Sequence, residues 1–170
     1  MKAITLIQLC SREYNDAAYS RIAKSGATAA NWLDWLNDGQ RTIALVRPDS
    51  SSVTENITLV TGAKQSLPAN RTRLLAVTRN MGANGTTPGK ALRFATREDQ
   101  DAVNEDWYSA TAASPVKAVI YDDKKDPLTF WVTPPGVSGW RIEGTLSKVP
   151  DDILAAVVDT ADISLPDVYS

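Results

Sequence analysis

The hydrophobic period of this chain changes once, at Pro48, and that change limits the fold more than any other feature. Upstream, the run TAANWLDWLNDGQRTIALVRP places Trp32, Leu36, Ile43 and Val46 at helical spacing, with Thr28 as N-cap and Pro48 as stop. Trp32 and Trp35 are both expected to face broadly inward. Gly39 falls on the same apolar side. A glycine there costs about 1 kcal/mol against alanine, so a close approach of neighbouring backbone is expected. An earlier helix is expected over residues 3–12, with Ile4, Leu6, Ile7 and Cys10 on its apolar face. Residues 14–27 read as a loop with one helical turn after Asp16.

Downstream of Pro48 the pattern turns to short alternating runs. Asp49 to Ser52 is a polar connector. Residues 57–61 and 65–67 suggest a small hairpin over Gly62-Ala63, residues 73–80 a strand, and residues 91–95 another alternating run. Thr96 followed by Asp99 has the form of a capping box opening a short helix over 97–103, with Ala102 and Val103 as its apolar contacts. Residues 116–121 and 128–133 make the best hairpin, turning through Asp122 to Pro127. Pro134-Pro135-Gly136 is expected to end its second strand. Residues 140–148 add a third strand, with Trp140, Ile142, Gly144 and Leu146 on one face.

Helices followed by strands give an α+β fold, with N-terminal helices beside an antiparallel β-domain of short meandering strands. The expected organisation is one domain, with a helical part at 1–48, a β-rich part at 53–149 and a C-terminal segment at 150–170. Leu165-Pro166-Asp167 reads as the start of a helix that the chain leaves incomplete at Ser170. Fifteen aspartates against five glutamates agree with many turns and short elements.

Composition removes whole classes of chemistry. The chain has no histidine, which excludes Ser-His-Asp and Cys-His nucleophiles and His-ligated metals. Its single cysteine, Cys10, makes no intramolecular disulfide. The N-terminal apolar stretch is too short, and Leu9 too bulky, for a lipoprotein signal ending at Cys10, and no run approaches a membrane span. Eighteen basic and twenty acidic residues leave a net charge of −2, which argues against a surface that grips duplex DNA by phosphate neutralisation.

The remaining candidates for chemistry each have a plainer explanation. Asp122, Asp123 and Asp126 crowd one turn, but Lys124 and Lys125 offset them and favour a solvated turn over a cation site. Asp34 and Asp38, one helical turn apart with Arg41 near, read as an exposed helix face. GANGTTPGK lacks the glycine order and Lys-Ser/Thr pair of a P-loop and reads as a projecting hairpin tip. Arg71, Arg73, Arg79 and Arg93 are the one basic concentration, and acidic neighbours are their expected partners. Of five tryptophans, most are expected in the core, Trp131 and Trp140 on adjacent strands. No catalytic, cofactor or metal site is expected. The alternative function is a carbohydrate- or ligand-binding module using exposed Trp107, Tyr108 and Trp140.

Three segments, NWLDWLNDGQRTIALVRPD, LPANRTRLLAVTRNMGANGTTPGKALRFATREDQD and ISLPDVY, resemble the phage adaptor family, the head–tail connectors of short-tailed bacteriophages. The likeness runs from about Thr28 to Tyr169, and its most specific part is the stretch Arg79 to Arg93. The resemblance implies a structural, non-enzymatic virion protein of the neck, assembled in the host cytoplasm. It implies a ring of the portal's dodecameric symmetry, bound to the portal on one side and the tail nozzle or tube on the other. DNA would pass through its lumen without sequence-specific binding, and no membrane or cofactor is involved. Family members continue past ISLPDVY into helices and a portal-engaging tail, whereas this sequence stops at Ser170. On this basis Arg79, Asn80, Gly82, Asn84, Gly85, Pro88, Gly89 and Arg93 are the expected subunit or tail contacts. Leu165, Pro166, Val168 and Tyr169 form the expected portal-side segment.

Overall fold

The computed structural model describes residues 1–15, 30–154 and 160–163, and the chain divides into two compact units, Met1–Ser51 with Val149–Ser170, and Ser52–Lys148. Thr28, the turn after Asp16 and the segment from Leu165 to Tyr169 lie outside the described residues.

In the first unit, helix α1 (Ala3–Glu13) and helix α2 (Ala30–Val46) form where the period of apolar residues demanded them. A single 3-10 turn, Pro48–Ser51, follows. Ala3, Ile7, Trp32, Leu33 and Ile153 form the buried cluster, with Cys10 and Leu36 partly buried against it. Residues near the C-terminus are tied to this pair of helices. Ala3 N–H donates to the Ala161 carbonyl (3.1 Å) and Ile163 N–H to that of Met1 (3.1 Å). The buried Asn37 amide acts as a substitute strand: its Nδ2 donates to the Ile153 carbonyl at 3.1 Å, and Ile153 N–H donates to its Oδ1 at 3.0 Å.

Three expectations for α2 fail. A β-carbon on Gly39 would meet nothing within 4 Å among the described residues, so the glycine admits no close backbone there. Trp35 (55% exposed) and Val46 (73%) face solvent. The buried stripe is carried by Trp32, Leu33 and Ala44 with the amides of Asn37 and Gln40, narrower than apolar periodicity alone suggested. Asp34 and Asp38 are exposed as expected, and Arg41 holds Asp38 (3.0 Å) and Asp152 (2.6 Å).

The second unit contains strands β1 (Ser52–Thr58), β2 (Gly62–Ser66), β3 (Arg71–Gly82), β4 (Arg93–Ala95), β5 (Ala118–Tyr121), β6 (Thr129–Gly136) and β7 (Arg141–Lys148), with helix α3 (Arg97–Val103) between β4 and β5. They make a three-stranded sheet in the order β1-β7-β3 and a four-stranded sheet in the order β2-β6-β5-β4. The inward residues of both sheets meet in one core, including Ile57, Leu74, Val119, Phe130, Val132, Ile142 and Leu146. The α+β class therefore holds, with mainly antiparallel sheets.

The connectivity is less sequential than a meander. β1 and β2 do not form a hairpin: β1 pairs with β7 and β2 with β6, so the chain crosses from one sheet to the other between them. The side chain of Gln65 closes that crossing, accepting from Val60 N–H (2.8 Å) and donating to the Val60 and Gly62 carbonyls. β7 lies at the centre of the three-stranded sheet and not beside β6, so Trp131 and Trp140 are not on neighbouring strands. β4 is only three residues long and runs parallel to β5. β6 continues through Pro134 and Pro135 to Gly136, because it is Ala113 and Lys117 that donate to carbonyls there, and a proline can still accept. The β5–β6 hairpin and the inward face of β7 are as expected.

Helix α3 has the expected bounds and cap, with Thr96 Oγ1 accepting from Asp99 N–H at 3.1 Å. None of its residues is buried, and Val103 is 81% exposed, so Ala102 and Val103 anchor nothing.

Candidate interaction surface

The segment from Arg79 to Arg93 is the candidate site, and its residues divide into two kinds. Asn80 is the organiser. It is 3% exposed, and its Nδ2 donates to the carbonyls of Lys90 (3.1 Å) and Val116 (2.8 Å), while Val116 N–H donates to its Oδ1 (3.0 Å). Its backbone adds two more bonds, to the Lys90 carbonyl (2.9 Å) and from Gly89 N–H (2.7 Å). One side chain thus joins β3, the returning loop and the approach to β5, with every polar atom satisfied. Gly89 fits here because it is a glycine: a β-carbon would sit 3.2 Å from the Asn80 carbonyl oxygen.

The glycines before it serve the turn. Gly82 (φ +66) and Gly85 (φ +74) occupy the left-handed region that favours glycine. Asn84 makes an Asx turn, its Oδ1 accepting from Thr86 N–H at 3.1 Å. The tip does not project freely. Arg141 of β7 donates to the Asn84 carbonyl (3.0 Å) and Asn56 of β1 to the Gly85 carbonyl (2.8 Å), which folds the tip against the three-stranded sheet. Gly85 is buried as a result.

Of the expected contact residues, then, Asn80 and Gly85 are buried, Gly82 is half-buried, and Gly89 is exposed although its N–H is bonded to the Asn80 carbonyl. Arg79, Asn84, Pro88 and Arg93 are exposed. The four arginines meet acids almost throughout. Arg71 forms a two-bond pair with Glu55 (2.6 and 2.8 Å), Arg73 lies 3.7 Å from Asp123, and Arg79 lies 3.4 Å from Glu143. Arg93 is the exception among the described residues.

Two other candidates resolve plainly. The Asp122–Asp126 turn is closed from within, the Asp122 Oδ1 accepting from the N–H groups of Lys124 and Lys125 (3.2 Å each) and its carbonyl from Asp126 N–H (3.1 Å). Among the described residues no group of acids, cysteine or histidine could hold a metal ion. The aromatic platform is broken, because Trp107 is 3% exposed and donates its indole N–H to Asp101 (2.7 Å). No helix is long and apolar enough to cross a membrane among the described residues.

Sequence reading missed one aromatic feature. Exposed Phe94 stacks on Tyr121 (6.4 Å, 28°), whose hydroxyl donates to the Pro127 carbonyl (2.9 Å) and accepts from Leu74 N–H (3.1 Å). Burial pushes the Tyr121 phenol above its ordinary pKa, against the Leu74 hydrogen bond that favours the phenolate. The sequence offered no clue, because Phe94 continues the alternation from buried Leu92 and yet is exposed.

Within this loop Asn80 and Gly85 are held by internal bonds, while Arg79, Pro88 and Arg93 face outward and are open to contact. The family comparison agrees: the model described as SU10 adaptor protein matches residues 1–170, and the chain belongs to that family of structural phage adaptors. Comparison with curated proteins gives no match.

Proposed function

We propose that this chain is a head–tail adaptor of the virion neck, assembled in the host cytoplasm into a ring between the portal and the tail nozzle or tube. The single observation that carries the reading is the adaptor family match along the whole chain. Several physical features support it. Strands β1 and β2 each end a sheet among the described residues, and such edges lend themselves to pairing with a neighbouring subunit. A net charge of −2 suits a channel through which DNA must slide without being held. The whole chain would act as one adaptor domain within a ring of the portal's dodecameric symmetry. In this reading Arg79, Asn84, Pro88 and Arg93 make the subunit or tail contacts, while Asn80, Gly82, Gly85 and Gly89 hold the loop in shape. Leu165, Pro166, Val168 and Tyr169 form the portal-side segment.

The test is to mix the purified protein with its portal and image the product by negative-stain electron microscopy. An added ring beneath the portal is expected. Portals that remain bare across all protein ratios would overturn the reading.

A further inference from the structure

The second unit carries an aromatic cleft that opens over a small buried cluster of Ala63, Trp107 and Ile120, against which Ala95 and Trp131 pack. Its volume is about 850 Å³, large enough for several side chains of a partner. Trp107 and Ile120, both nearly fully buried, form its floor. The Phe94–Tyr121 stack and half-buried Trp131 form its walls, and Phe94 is 44% exposed. An aromatic left open in a concavity lined by other rings is a surface with unused apolar area.

The rim gives the cleft a sign. Glu98 and Asp99 come from the first turn of α3, and Asp122 and Asp126 from the β5–β6 turn. Against these four carboxylates stand two cations, Arg97 and Lys125, and Arg97 is already turned to Asp101 at 3.9 Å. Asp122 and Asp126 each use one oxygen on turn N–H groups, which leaves the other with no hydrogen bond among the described residues. Flat π faces beneath an excess of carboxylates complement one side chain above others. A guanidinium can lie on the rings while its edge donates in pairs to carboxylate oxygens, and its aliphatic stem covers the remaining apolar surface.

We propose that this cleft docks an extended segment of a partner protein through an arginine side chain, stacked on Phe94 and Trp131 and bonded to the Glu98, Asp99 and Asp126 side. The inference goes beyond the adaptor reading and does not rest on it.

The experiment is a titration of the ¹⁵N-labelled full chain, followed by NMR, with the peptide acetyl-Gly-Gly-Arg-Gly-Gly-amide. Its counterparts carry lysine or the neutral isostere citrulline. The arginine peptide is expected to shift the Trp131 indole N–H and the amides of Phe94 and Glu98. Citrulline should bind at least about tenfold more weakly, with lysine in between. Phe94→Ala, at an exposed position, and the pair Glu98→Gln with Asp99→Asn should each weaken binding several-fold, and the same spectra report that the variants are folded. Shifts that are absent up to about 10 mM peptide, that fall elsewhere, or that are equal for citrulline would overturn the proposal. So would a neutral oligosaccharide that fills the cleft where the arginine peptide does not. A ring on the portal without peptide binding would sink the cleft alone, and peptide binding without a ring would sink the adaptor reading alone.

Discussion

Replacing Asn80 with alanine removes three hydrogen bonds at a site only 3% exposed, and the structure sets the size of the loss. The Lys90 carbonyl keeps a partner, because Asn80's own backbone N–H still donates to it at 2.9 Å. The N–H and carbonyl of buried Val116 lose the partners that Asn80 gave them. Each orphaned buried group costs about 1–3 kcal/mol, so a total of roughly 3–5 kcal/mol is expected once the small cavity is included. That is a large part of the ~5–15 kcal/mol that holds a typical domain. With an m-value of about 2 kcal/mol/M, urea midpoints should fall by roughly 1.5–2.5 M. Arg79→Ala next door is the control. Its ion pair with Glu143 is 3.4 Å long and solvent-facing, and its loss should stay below about 1 kcal/mol. Equilibrium urea unfolding followed by tryptophan fluorescence measures both. An Asn80→Ala protein as stable as the Arg79→Ala protein would refute the assignment of Asn80 as the organiser of this loop.

Gly85→Val forces a branched residue into φ +74 with its β-carbon 2.7 Å from the Arg141 guanidinium, so a loss of about 2 kcal/mol or more is expected by the same urea assay. It therefore tests folding and is unsuited to testing contacts, for which Pro88→Asp is the better choice. Thr96→Ala removes the cap of α3 and should cost about 1 kcal/mol, seen as faster amide hydrogen exchange in residues 97–103. The Asp162 carboxyl is held below its ordinary pKa, first by the hydrogen bond from Lys2 Nζ (2.8 Å). A carboxyl lowered in the folded state adds stability above its unfolded pKa and loses it as pH falls through the folded value. An NMR titration of Asp162 should show the depressed midpoint, and Lys2→Ala should return it toward the usual aspartate range.

Much of the secondary structure was legible because each element is set by local chemistry. The stop at Pro48, the Thr96 cap and the alternation along β7 all act within a few residues, and all appear where expected, whereas β5 is buried on both faces and does not alternate. Strand partnership was not legible. The sequence puts a hairpin turn at Gly62-Ala63, yet β1 and β2 belong to different sheets, and the crossing through Leu59, Val60 and Thr61 is closed by a side-chain amide, Gln65. Asn37, Gln65 and Asn80 each bond both the N–H and the carbonyl of one backbone residue, standing in for a strand. An apolar-periodicity reading counts such residues as surface, and so it made the buried face of α2 too apolar and placed Trp35 and Val46 inward. For the candidate site, the stretch from Arg79 to Arg93 was located from its motif, but the burial of Asn80 and Gly85 within it was not legible. The pairing of Arg71, Arg73 and Arg79 with acids followed from the balanced charge. The exposure of Phe94 and the cleft were invisible, since they depend on the parallel pairing of β4 with β5, which the alternating run at 91–95 does not reveal.

The most direct measurement of the central claim is a cryo-EM map of the virion neck. The account predicts a ring of this chain seated between portal and tail, with Arg79, Asn84, Pro88 and Arg93 at a subunit or tail boundary and the DNA path through its centre. Density that places the chain outside the neck, or a neck built without it, would contradict the account.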